Sequence, residues 1–421
     1  MVTTGLDRIA NVAITPVAFR DPPLLNAVGV HEPYAIRAIV EITTDGGATG
    51  LGETYGDRRH LARLRQAAAT LVGTSVWHLN ELTARVATDS AGDAADGGHG
   101  MSGMVTTTST TDRLLAPFEV ACLDLQGKLT GRPVSDLLGG PVRDRVDFSG
   151  YLFYKWAGED DWGAAADPAG IVAQARRMVA DYGFRALKLK GGVHPPEQEI
   201  ATVHALRAAF PDLPLRIDPN GAWSVDTAVR VGTELAGVLE YLEDPTLGVD
   251  CMAEVASRVE LPLATNMCVV AFDQLKAAVA RDAVQVVLSD LHFWGGLRRS
   301  LALAQICDTF GLGLSMHSNS HLGISLAAMT HLGAATPNLT YACDTHWPWK
   351  DPAEDVIVPG VLSFADGAVA VPSGPGLGVE LDRDALARLH EQYLSCGITE
   401  RDDTGYYRRW HPDFDPTPPR W

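Results

Sequence analysis

A regular alternation of short apolar runs and amphipathic segments across residues 148–344 constrains the fold of this chain more than any other feature. Eight runs have the length of buried strands: Phe148–Tyr154, Ala186–Lys190, Leu215–Asp218, Tyr241–Glu243, Leu263–Asn266, Val284–Asp290, Leu312–His317 and Tyr341–Asp344. Between them, helical periodicity marks segments such as Ile171–Asp181, Gln198–Phe210, Val225–Leu235, Gln274–Ala280, Arg298–Phe310 and Gly323–Leu332. This pattern predicts an α/β fold, a (β/α)8 barrel, with a doubly wound sheet as the weaker alternative.

The segments on either side of this region have a different pattern. The first part alternates like a β-meander and then becomes helical, over Asn11–Phe19, Ala35–Thr43, Gly50–Glu53, Leu61–Leu71, Trp77–Val86 and Leu114–Leu129. Asp89–Gly103 is rich in Gly, Asp and Ser, which indicates a loop. We therefore predict an α+β capping domain in residues 1–140, the catalytic barrel in 141–350, and a C-terminal tail in 351–421 that returns to the capping domain.

Composition and charge exclude several classes of function. The chain has 421 residues, and its 34 basic and 52 acidic residues give a net charge of −18, which disfavours a nucleic-acid partner because such binding needs a basic face. No apolar run approaches the roughly 18 residues of a membrane span, and no signal peptide is evident. The six cysteines lack metal-type spacing, which indicates buried free thiols. We expect a soluble, cytoplasmic protein without a membrane partner.

Ionisable residues end the predicted strands, where a barrel of this kind carries its chemistry. Lys188 and Lys190 end the second strand, and period-two alternation points both toward the barrel axis. His317 ends the seventh strand, and Asp290 on the neighbouring strand can orient its ring. Taken singly, the lysines could be a solvated strand edge and the histidine a satisfied barrel residue. Their convergence on one rim favours a catalytic site.

Three oxygen-bearing residues, Asp218, Glu243 and Asn266, end successive strands and should meet around one point. Asp218 alone could be a helix cap. Together, these ligands suit Mg²⁺ better than zinc. A metal between a lysine and a His–Asp pair is the arrangement needed to remove a proton beside a carboxylate, since nearby positive charge must stabilise the anion that forms. The strand ends therefore predict a magnesium-dependent carbon-acid reaction.

The motifs around these residues resemble the glucarate dehydratase branch of the enolase superfamily, in which a lysine or histidine base works with Mg²⁺. They extend over nearly the whole chain: FRALKLKGGV, RIDPNGAW, YLEDP, PLATNM, LSDLHFW, HSNSHLGISLA, DTHWPW and PGLGVELD. Asn266 in place of a carboxylate is a mark of this branch. The resemblance implies a hydro-lyase that converts an aldarate, D-glucarate or L-idarate, to 5-dehydro-4-deoxy-D-glucarate.

The resemblance also implies a role for each site residue. Lys190 would remove the α-proton from one face, with Lys188 binding the adjacent carboxylate. His317, oriented by Asp290, would take the proton of the other epimer and protonate the departing hydroxyl. Asn220 joins these catalytic residues, and Asp218, Glu243 and Asn266 would hold the metal. The implied substrate contacts are Asn26, His31, Tyr151, Lys188, Asn220, Asn266, Ser318, Asn319, His346 and Arg401.

Some features depart from this family and leave alternatives open. Gly295–Leu297 is shorter than the matching segment, Thr106–Thr111 leaves a capping-domain threonine contact unassigned, and the tail beyond Asp403 is unfamiliar. An epimerase or racemase, or a dehydratase of another acid sugar, would use the same two bases. A non-catalytic metal-binding protein is disfavoured because all metal and proton-transfer residues are present. We expect a small-molecule acid-sugar substrate and a homo-oligomer.

Overall fold

The computed structural model describes residues 7–89 and 107–421, and its first part is an antiparallel sheet covered by helices. Five strands come first: β1 (Ile9–Arg20), β2 (Leu25–Asn26), β3 (Gly29–Val30), β4 (Tyr34–Thr44) and β5 (Thr49–Tyr55). The sheet has the order β1-β4-β5, while β2 and β3 form a separate hairpin. The helices α1 (Arg58–Leu71), α2 (Leu79–Asp89), α3 (Thr107–Thr130) and α4 (Val134–Leu137) follow. Residues 90–103 of the predicted loop, and Thr106, lie outside the described residues.

The predicted alternation of strands and helices forms a curled parallel sheet. After the short β6 (Arg145–Asp147), seven strands pair in chain order: β7 (Gly150–Phe153), β8 (Leu187–Lys190), β9 (Leu215–Asp218), β10 (Tyr241–Glu243), β11 (Leu263–Thr265), β12 (Val286–Ser289) and β13 (Gly313–Met316). The helices are α5 (Pro168–Tyr182), α6 (Pro196–Ala209), α7 (Val225–Glu234), α8 (Val249–Ala256), α9 (Phe272–Ala280), α10 (Leu297–Phe310) and α11 (Gly323–Ala335). The short α8 was not predicted.

The eighth predicted strand, Tyr341–Asp344, is an extended segment and not a regular strand. On one side, the Asp344 amide donates to the Met316 carbonyl of β13 at 2.8 Å. On the other, the Ser149 amide, just before β7, donates to the Cys343 carbonyl at 2.7 Å. The segment therefore closes the curled sheet through isolated hydrogen bonds. The predicted barrel with an α+β cap is confirmed, with one irregular position.

The chain beyond the barrel returns to both of the earlier parts. After a 3₁₀ turn (Trp347–Trp349), β14 (Phe364–Ala365) and β15 (Ala368–Ala370) extend a small sheet with β6. Helix α12 (Arg383–Ser395) packs on β1, and α13 (Asp403–Tyr407) packs on the hairpin strand β3. The tail thus covers the capping sheet and the hairpin. The domain limits at residues 140 and 350 stay predictions.

Two sequence-based expectations concern solvent and membrane. Within the described ranges, no helix combines the length and apolar character needed to cross a bilayer. All six cysteines are free, and four of them are buried. The prediction of a buried thiol is wrong for Cys251, which is exposed because it lies on the outer face of α8.

Candidate active site

A cavity of about 140 Å³ lies between the carboxyl ends of the barrel strands and the capping segments. Ten predicted site residues line it: Asn26, His31, Tyr151, Lys190, Asn220, Asn266, His317, Asn319, His346 and Arg401. The other five, Lys188, Asp218, Glu243, Asp290 and Ser318, are buried side chains that contact the lining residues or one another. The structure therefore brings the whole predicted set to one region.

The two lysines of β8 lie among carboxylates. Because side chains alternate along a strand, Lys188 and Lys190 share the axial face of the barrel. The Lys188 ammonium lies 2.6 Å from Glu243 Oε1 and 2.7 Å from Asp344 Oδ2. The Lys190 ammonium lies 2.6 Å from Asp218 Oδ2, on the neighbouring strand. Asp344 was missed as a site residue, since its role depends on a lysine 156 positions away.

For Lys188 and Asp218, two members of this cluster, the neighbouring charges together outweigh the effect of burial on the pKa. Burial alone would lower the pKa of Lys188, but Asp344 and Glu243 raise it well above its ordinary value. For Asp218, burial opposes ionisation, yet Lys190 and Lys188 lower its pKa below that of a free carboxyl group. Lys188 is therefore a fixed cation and Asp218 a fixed anion, both buried beside the residues that line the cavity.

The predicted metal ligands fit an oxygen-liganded divalent cation. Asp218, Glu243 and Asn266 are all buried at the ends of β9, β10 and β11. Asn266 Oδ1 is buried and accepts no hydrogen bond from the described residues. Glu243 Oε2 lies 2.6 Å from the Lys188 ammonium. A cation would satisfy the orphaned Asn266 oxygen, since a buried acceptor without a partner is costly.

The third ligand is an amide, and a separate carboxylate fixes its position. In the described ranges, no group of three or more His, Cys, Asp or Glu side chains is placed to hold a metal ion, and the predicted ligand set contains only two such residues, Asp218 and Glu243. Asp244 accepts hydrogen bonds from the backbone N–H of Asn266 at 2.7 Å and from the Thr265 hydroxyl at 2.5 Å. Asp244 thus holds the loop that presents the Asn266 side chain, a function that sequence reasoning missed.

Asp290 binds two histidines and fixes the tautomer of each. Its Oδ2 lies 3.0 Å from His317 Nδ1, and its Oδ1 lies 2.9 Å from His292 Nδ1. Burial alone would raise the pKa of Asp290, but His292 and then His317 hold it well below its ordinary value. An ionised carboxylate only accepts, so both rings donate from Nδ1. In neutral His317, Nε2 is then left as the acceptor in the cavity, as a base requires.

A buried chain of side chains links Asp290 to the capping sheet. His292 Nε2 lies 2.9 Å from Arg37 Nη2, and because arginine only donates, this nitrogen accepts and Nδ1 carries the proton. Arg37 Nε donates to Glu53 Oε1 at 3.0 Å, and Glu53 also accepts the Ser325 amide at the start of α11. Sequence reasoning missed these residues, although a charged Arg37 within the apolar run YAIRAIV was a signal.

The predicted substrate contacts Ser318, Asn319 and His346 make few hydrogen bonds within the protein. Ser318 Oγ lies 3.2 Å from His346 Nδ1, and Asn319 Nδ2 donates to the Tyr55 hydroxyl at 2.9 Å. Burial, and then the neighbouring His31, lower the pKa of His346 well below its ordinary value, so its ring is neutral. Burial, and then the charge of Asp290, raise the pKa of Tyr55 to about 12. Tyr55 is a further lining residue that the sequence did not reveal.

At the capping end of the cavity, the predicted cations are paired within the chain. Arg401 lies 2.9 Å from Asp403 Oδ1 and 3.6 Å from Asp21 Oδ2. His31 Nδ1 lies 3.1 Å from the same Asp21 oxygen, and Asn26 Nδ2 donates to Asp403 Oδ2 at 2.8 Å. These three predicted substrate contacts thus bind two protein carboxylates. Their ability to attract an anionic substrate is reduced accordingly.

Comparisons with known proteins agree with this geometry. Residues 170–385 match the family described as enolase C-terminal domain-like. The chain is 54% identical to a probable glucarate dehydratase from Streptomyces coelicolor, over 98% of this chain and 99% of that protein.

Two crystal structures of enolases are similar over almost the full length. One, from Mycobacterium smegmatis complexed with tartrate, is 66% identical, with 98% of each chain covered and a TM-score of 0.94. The other, from Thermobispora bispora complexed with magnesium and formate, is 61% identical, with 98% of this chain and 100% of that chain covered and a TM-score of 0.97. The chain therefore belongs to the glucarate dehydratase branch of the enolase superfamily and is an enzyme of the hydro-lyase type.

Proposed function

We propose that this enzyme dehydrates a six-carbon aldarate, D-glucarate or its epimer L-idarate, to 5-dehydro-4-deoxy-D-glucarate in a magnesium-dependent reaction. One observation carries the proposal: Lys190 and the oriented His317 line a single cavity, with Asp218, Glu243 and Asn266 beside them. The name of the Streptomyces coelicolor relative and the tartrate and magnesium of the similar crystal structures support this choice of substrate class and cofactor.

The proposed chemistry divides between two groups on strands β8 and β13. Lys190 removes the proton beside the substrate carboxylate from one face, and Lys188 supplies a fixed positive charge near that carboxylate. His317 removes the corresponding proton of the other epimer through Nε2. Once protonated, the ring is stabilised by Asp290 and delivers its proton to the departing β-hydroxyl. Bound Mg²⁺ contributes positive charge that stabilises the anion formed by proton removal.

The substrate and the cofactor are tested together. A panel of acid sugars is incubated with the protein and Mg²⁺, and loss of water is followed by mass spectrometry. We expect D-glucarate and L-idarate to lose water, and thorough chelation to abolish this loss. Asp218→Ala and Glu243→Ala should abolish activity and weaken Mg²⁺ binding measured by calorimetry. Full activity after chelation would rule out the magnesium assignment. A change of optical rotation without water loss would indicate an epimerase instead.

The two proton-transfer roles are tested by solvent deuterium exchange. Lys190→Ala should lose exchange with one epimer and retain some with the other, because His317 still acts on its own face. His317→Ala should suppress dehydration of both epimers, since protonation of the leaving group is lost with the ring. Equal deuterium incorporation by both variants with both epimers would contradict this division of roles.

A further inference from the structure

One carboxylate of the active site is shared by two imidazole rings. Asp290 accepts from His317 Nδ1 at 3.0 Å and from His292 Nδ1 at 2.9 Å. His317 gains a proton in the proposed reaction, and the ionised Asp290 stabilises the imidazolium that forms. His292 would receive the same stabilisation if it gained a proton. A second imidazolium at Asp290 would therefore weaken His317 as a base, because it would neutralise the carboxylate on which His317 depends.

Arg37 of the capping strand β4 faces the other ring nitrogen of His292. Arg37 Nη2 donates to His292 Nε2 at 2.9 Å, and the Ser325 hydroxyl lies 3.2 Å from the same nitrogen. An arginine in a protein does not give up its proton, so Nε2 accepts in this contact. Nδ1 already carries the proton that binds Asp290. The ring is therefore neutral, and it gains a second proton only if the contact with Arg37 breaks.

A second carboxylate fixes the position of Arg37. Arg37 Nε donates to Glu53 Oε1 at 3.0 Å, and Arg37 Cζ lies 4.6 Å from the centroid of the Tyr55 ring. Arg37, Glu53 and His292 are all buried. Burial opposes the ionisation of Glu53, yet Arg37 holds the pKa of this carboxyl group below its ordinary value. Arg37 thus has a negative partner of its own and takes no charge from Asp290.

Other titratable groups near His292 are neutral. Burial lowers the pKa of His60 well below its ordinary value and that of His321 to about 4, so neither ring is charged near neutral pH. Burial raises the pKa of Tyr55, whose ring centroid lies 5.6 Å from that of His292, to about 12. Among the described residues, the charged side chains of this region are Asp290, Arg37, Glu53 and, over the Tyr55 ring, Arg113. Of these four, Arg37 is the one that bonds to the second nitrogen of His292.

We propose that Arg37 is a positioning residue for the reaction: it keeps His292 neutral, so that the charge of Asp290 serves His317 alone. Arg37 acts on the substrate only through His292 and Asp290. Because Arg37 lies on the capping sheet and His317 follows the barrel strand β13, the base at this face is complete only when the capping sheet is seated on the barrel. Lys190 has no such requirement, since its partner Asp218 belongs to the barrel. This inference rests on the proposed function.

The protonation of His292 is measured without substrate. In the wild type, the ¹⁵N spectrum of the His292 imidazole should show a single ring proton, on Nδ1, from about pH 5 to about pH 8. Arg37→Met should allow the ring to bind a second proton within this range, because Nε2 is then free and Asp290 stabilises the cation. Arg37→Lys keeps a partner for Glu53 but loses the planar donor fork, so it should give a smaller change. A His292 ring that stays neutral in both variants would overturn the inference.

Solvent deuterium exchange then separates the two faces of the site. At about pH 6, Arg37→Met should lower kcat for exchange through His317 by about ten- to a hundredfold, because a neighbouring charge changes proton affinity by a factor of about ten to a thousand and the rate follows part of this change. Exchange through Lys190, and KM at both faces, should stay within about threefold. Arg37→Met/His292→Asn should recover most of the loss, since asparagine can donate to Asp290 but cannot gain a proton.

The matched control is a second arginine that is paired with a glutamate of the capping sheet. Arg383 Nη2 lies 2.6 Å from Glu41 Oε2, and 64% of the Arg383 side chain is exposed. Glu41 lies on the same strand as Arg37. Arg383→Met should match the wild type both in the spectrum of His292 and in exchange at the two faces, because the pair does not contact the histidines.

Three kinetic results would also overturn the inference. Equal losses at both faces, or no recovery in Arg37→Met/His292→Asn, would give Arg37 a purely structural role. A raised KM with an unchanged kcat would make Arg37 a substrate contact. Thermal unfolding verifies that each variant is folded, and Arg37→Lys replaces Arg37→Met if the latter does not fold. A wild-type protein that exchanges no α-proton of an aldarate would contradict the proposed function, whereas the spectrum of His292 would still decide whether Arg37 keeps this ring neutral.

Discussion

Replacement of Asp290 by asparagine is the sharpest test of how the barrel histidine is prepared for catalysis. The two oxygens of Asp290 accept three hydrogen bonds: from the His292 amide at 2.8 Å, from His292 Nδ1 at 2.9 Å and from His317 Nδ1 at 3.0 Å. Asparagine offers one acceptor oxygen and one donor group. Asp290→Asn therefore cannot satisfy both sides, and the orientation of the new amide decides the tautomer of His317.

The two amide orientations differ in free energy. If the oxygen faces His292, both of its bonds survive, but His317 Nδ1 must accept and its proton moves to Nε2, so the base is lost. If the oxygen faces His317, the new NH₂ group lies against the His292 backbone N–H, so two donors face each other. His292 Nδ1 must then accept from the NH₂ group, which moves the ring proton to Nε2, where it faces the Arg37 guanidinium, a second pair of donors. Each buried clash costs about 1–3 kcal/mol, so the productive orientation is disfavoured by roughly 2–6 kcal/mol. This corresponds to a loss of about 30-fold to 2 × 10⁴-fold in kcat.

The assay combines dehydration kinetics with a direct view of the ring. Dehydration of D-glucarate should fall by this factor in Asp290→Asn, while α-proton exchange through Lys190 persists and shows that the site is intact. The ¹⁵N spectrum of the His317 imidazole should show the proton on Nε2 instead of Nδ1. Asp250→Asn, with 83% of its side chain exposed, is the control and should match the wild type. A kcat within about threefold of wild type, or an unchanged tautomer, would refute the reasoning.

Three further predictions concern the contacts between the cap and the barrel. Burial raises the pKa of Glu119 to about 7, although hydrogen bonds from two backbone amides at the start of α10 act to lower it. The contribution of Glu119 to stability is therefore full below about pH 4.3 and is lost as the pH rises through 7. Glu119→Gln should therefore flatten the fall of the unfolding free energy measured with urea between about pH 5 and pH 8. Gly296→Ala should cost about 2–4 kcal/mol by the same measurement, because φ is +102° and the new Cβ would clash with Glu119 Oε2. Gly237→Ala is the control: its φ is also positive but no atom lies near the new Cβ, so it should cost about 1 kcal/mol. Tyr55→Phe should reduce kcat/KM by about three- to tenfold, since Asn319 loses its acceptor, and an unchanged value would remove Tyr55 from the site.

The barrel could be predicted from the sequence because its strands are buried on both faces and read as short apolar runs between helices. Leu215–Asp218 and Tyr241–Glu243 match the observed strands β9 and β10 at both ends. Tyr341–Asp344 is irregular because only isolated hydrogen bonds join it to its neighbours, and no sequence pattern reports that. Helix α8 was missed because a helix of 8 residues is too short to display a clear period.

The partners of the site residues were harder to predict from the sequence than the site residues themselves. The strand-end positions of Asp218, His317 and the lysines follow from local pattern, since a barrel delivers every strand end to one rim. The carboxylate that pairs with Lys188 and the arginine that bonds to His292 come from distant parts of the chain. Pairing of this kind depends on tertiary packing, and no local periodicity encodes it. The same holds for the Gly295–Gly296 pair. The need for a glycine at position 296 is evident only from its contact with Glu119 in the folded chain.

The source of positive charge in this acidic site follows from those partners. The family resemblance implies that Lys188, His346 and Arg401 contact the substrate. In the structure, Lys188 is paired with Glu243 and Asp344, and Arg401 with Asp403 and Asp21. His346 is neutral because burial lowers its pKa. Lys188 of the barrel and Arg401 of the tail thus already pair with carboxylates of the chain. Unpaired positive charge in the cavity resides on Arg113 of α3 and Arg420 of the C-terminal tail, among the described residues. This unpaired charge thus belongs to the segments that cover the barrel, whereas proton transfer depends on the barrel strands.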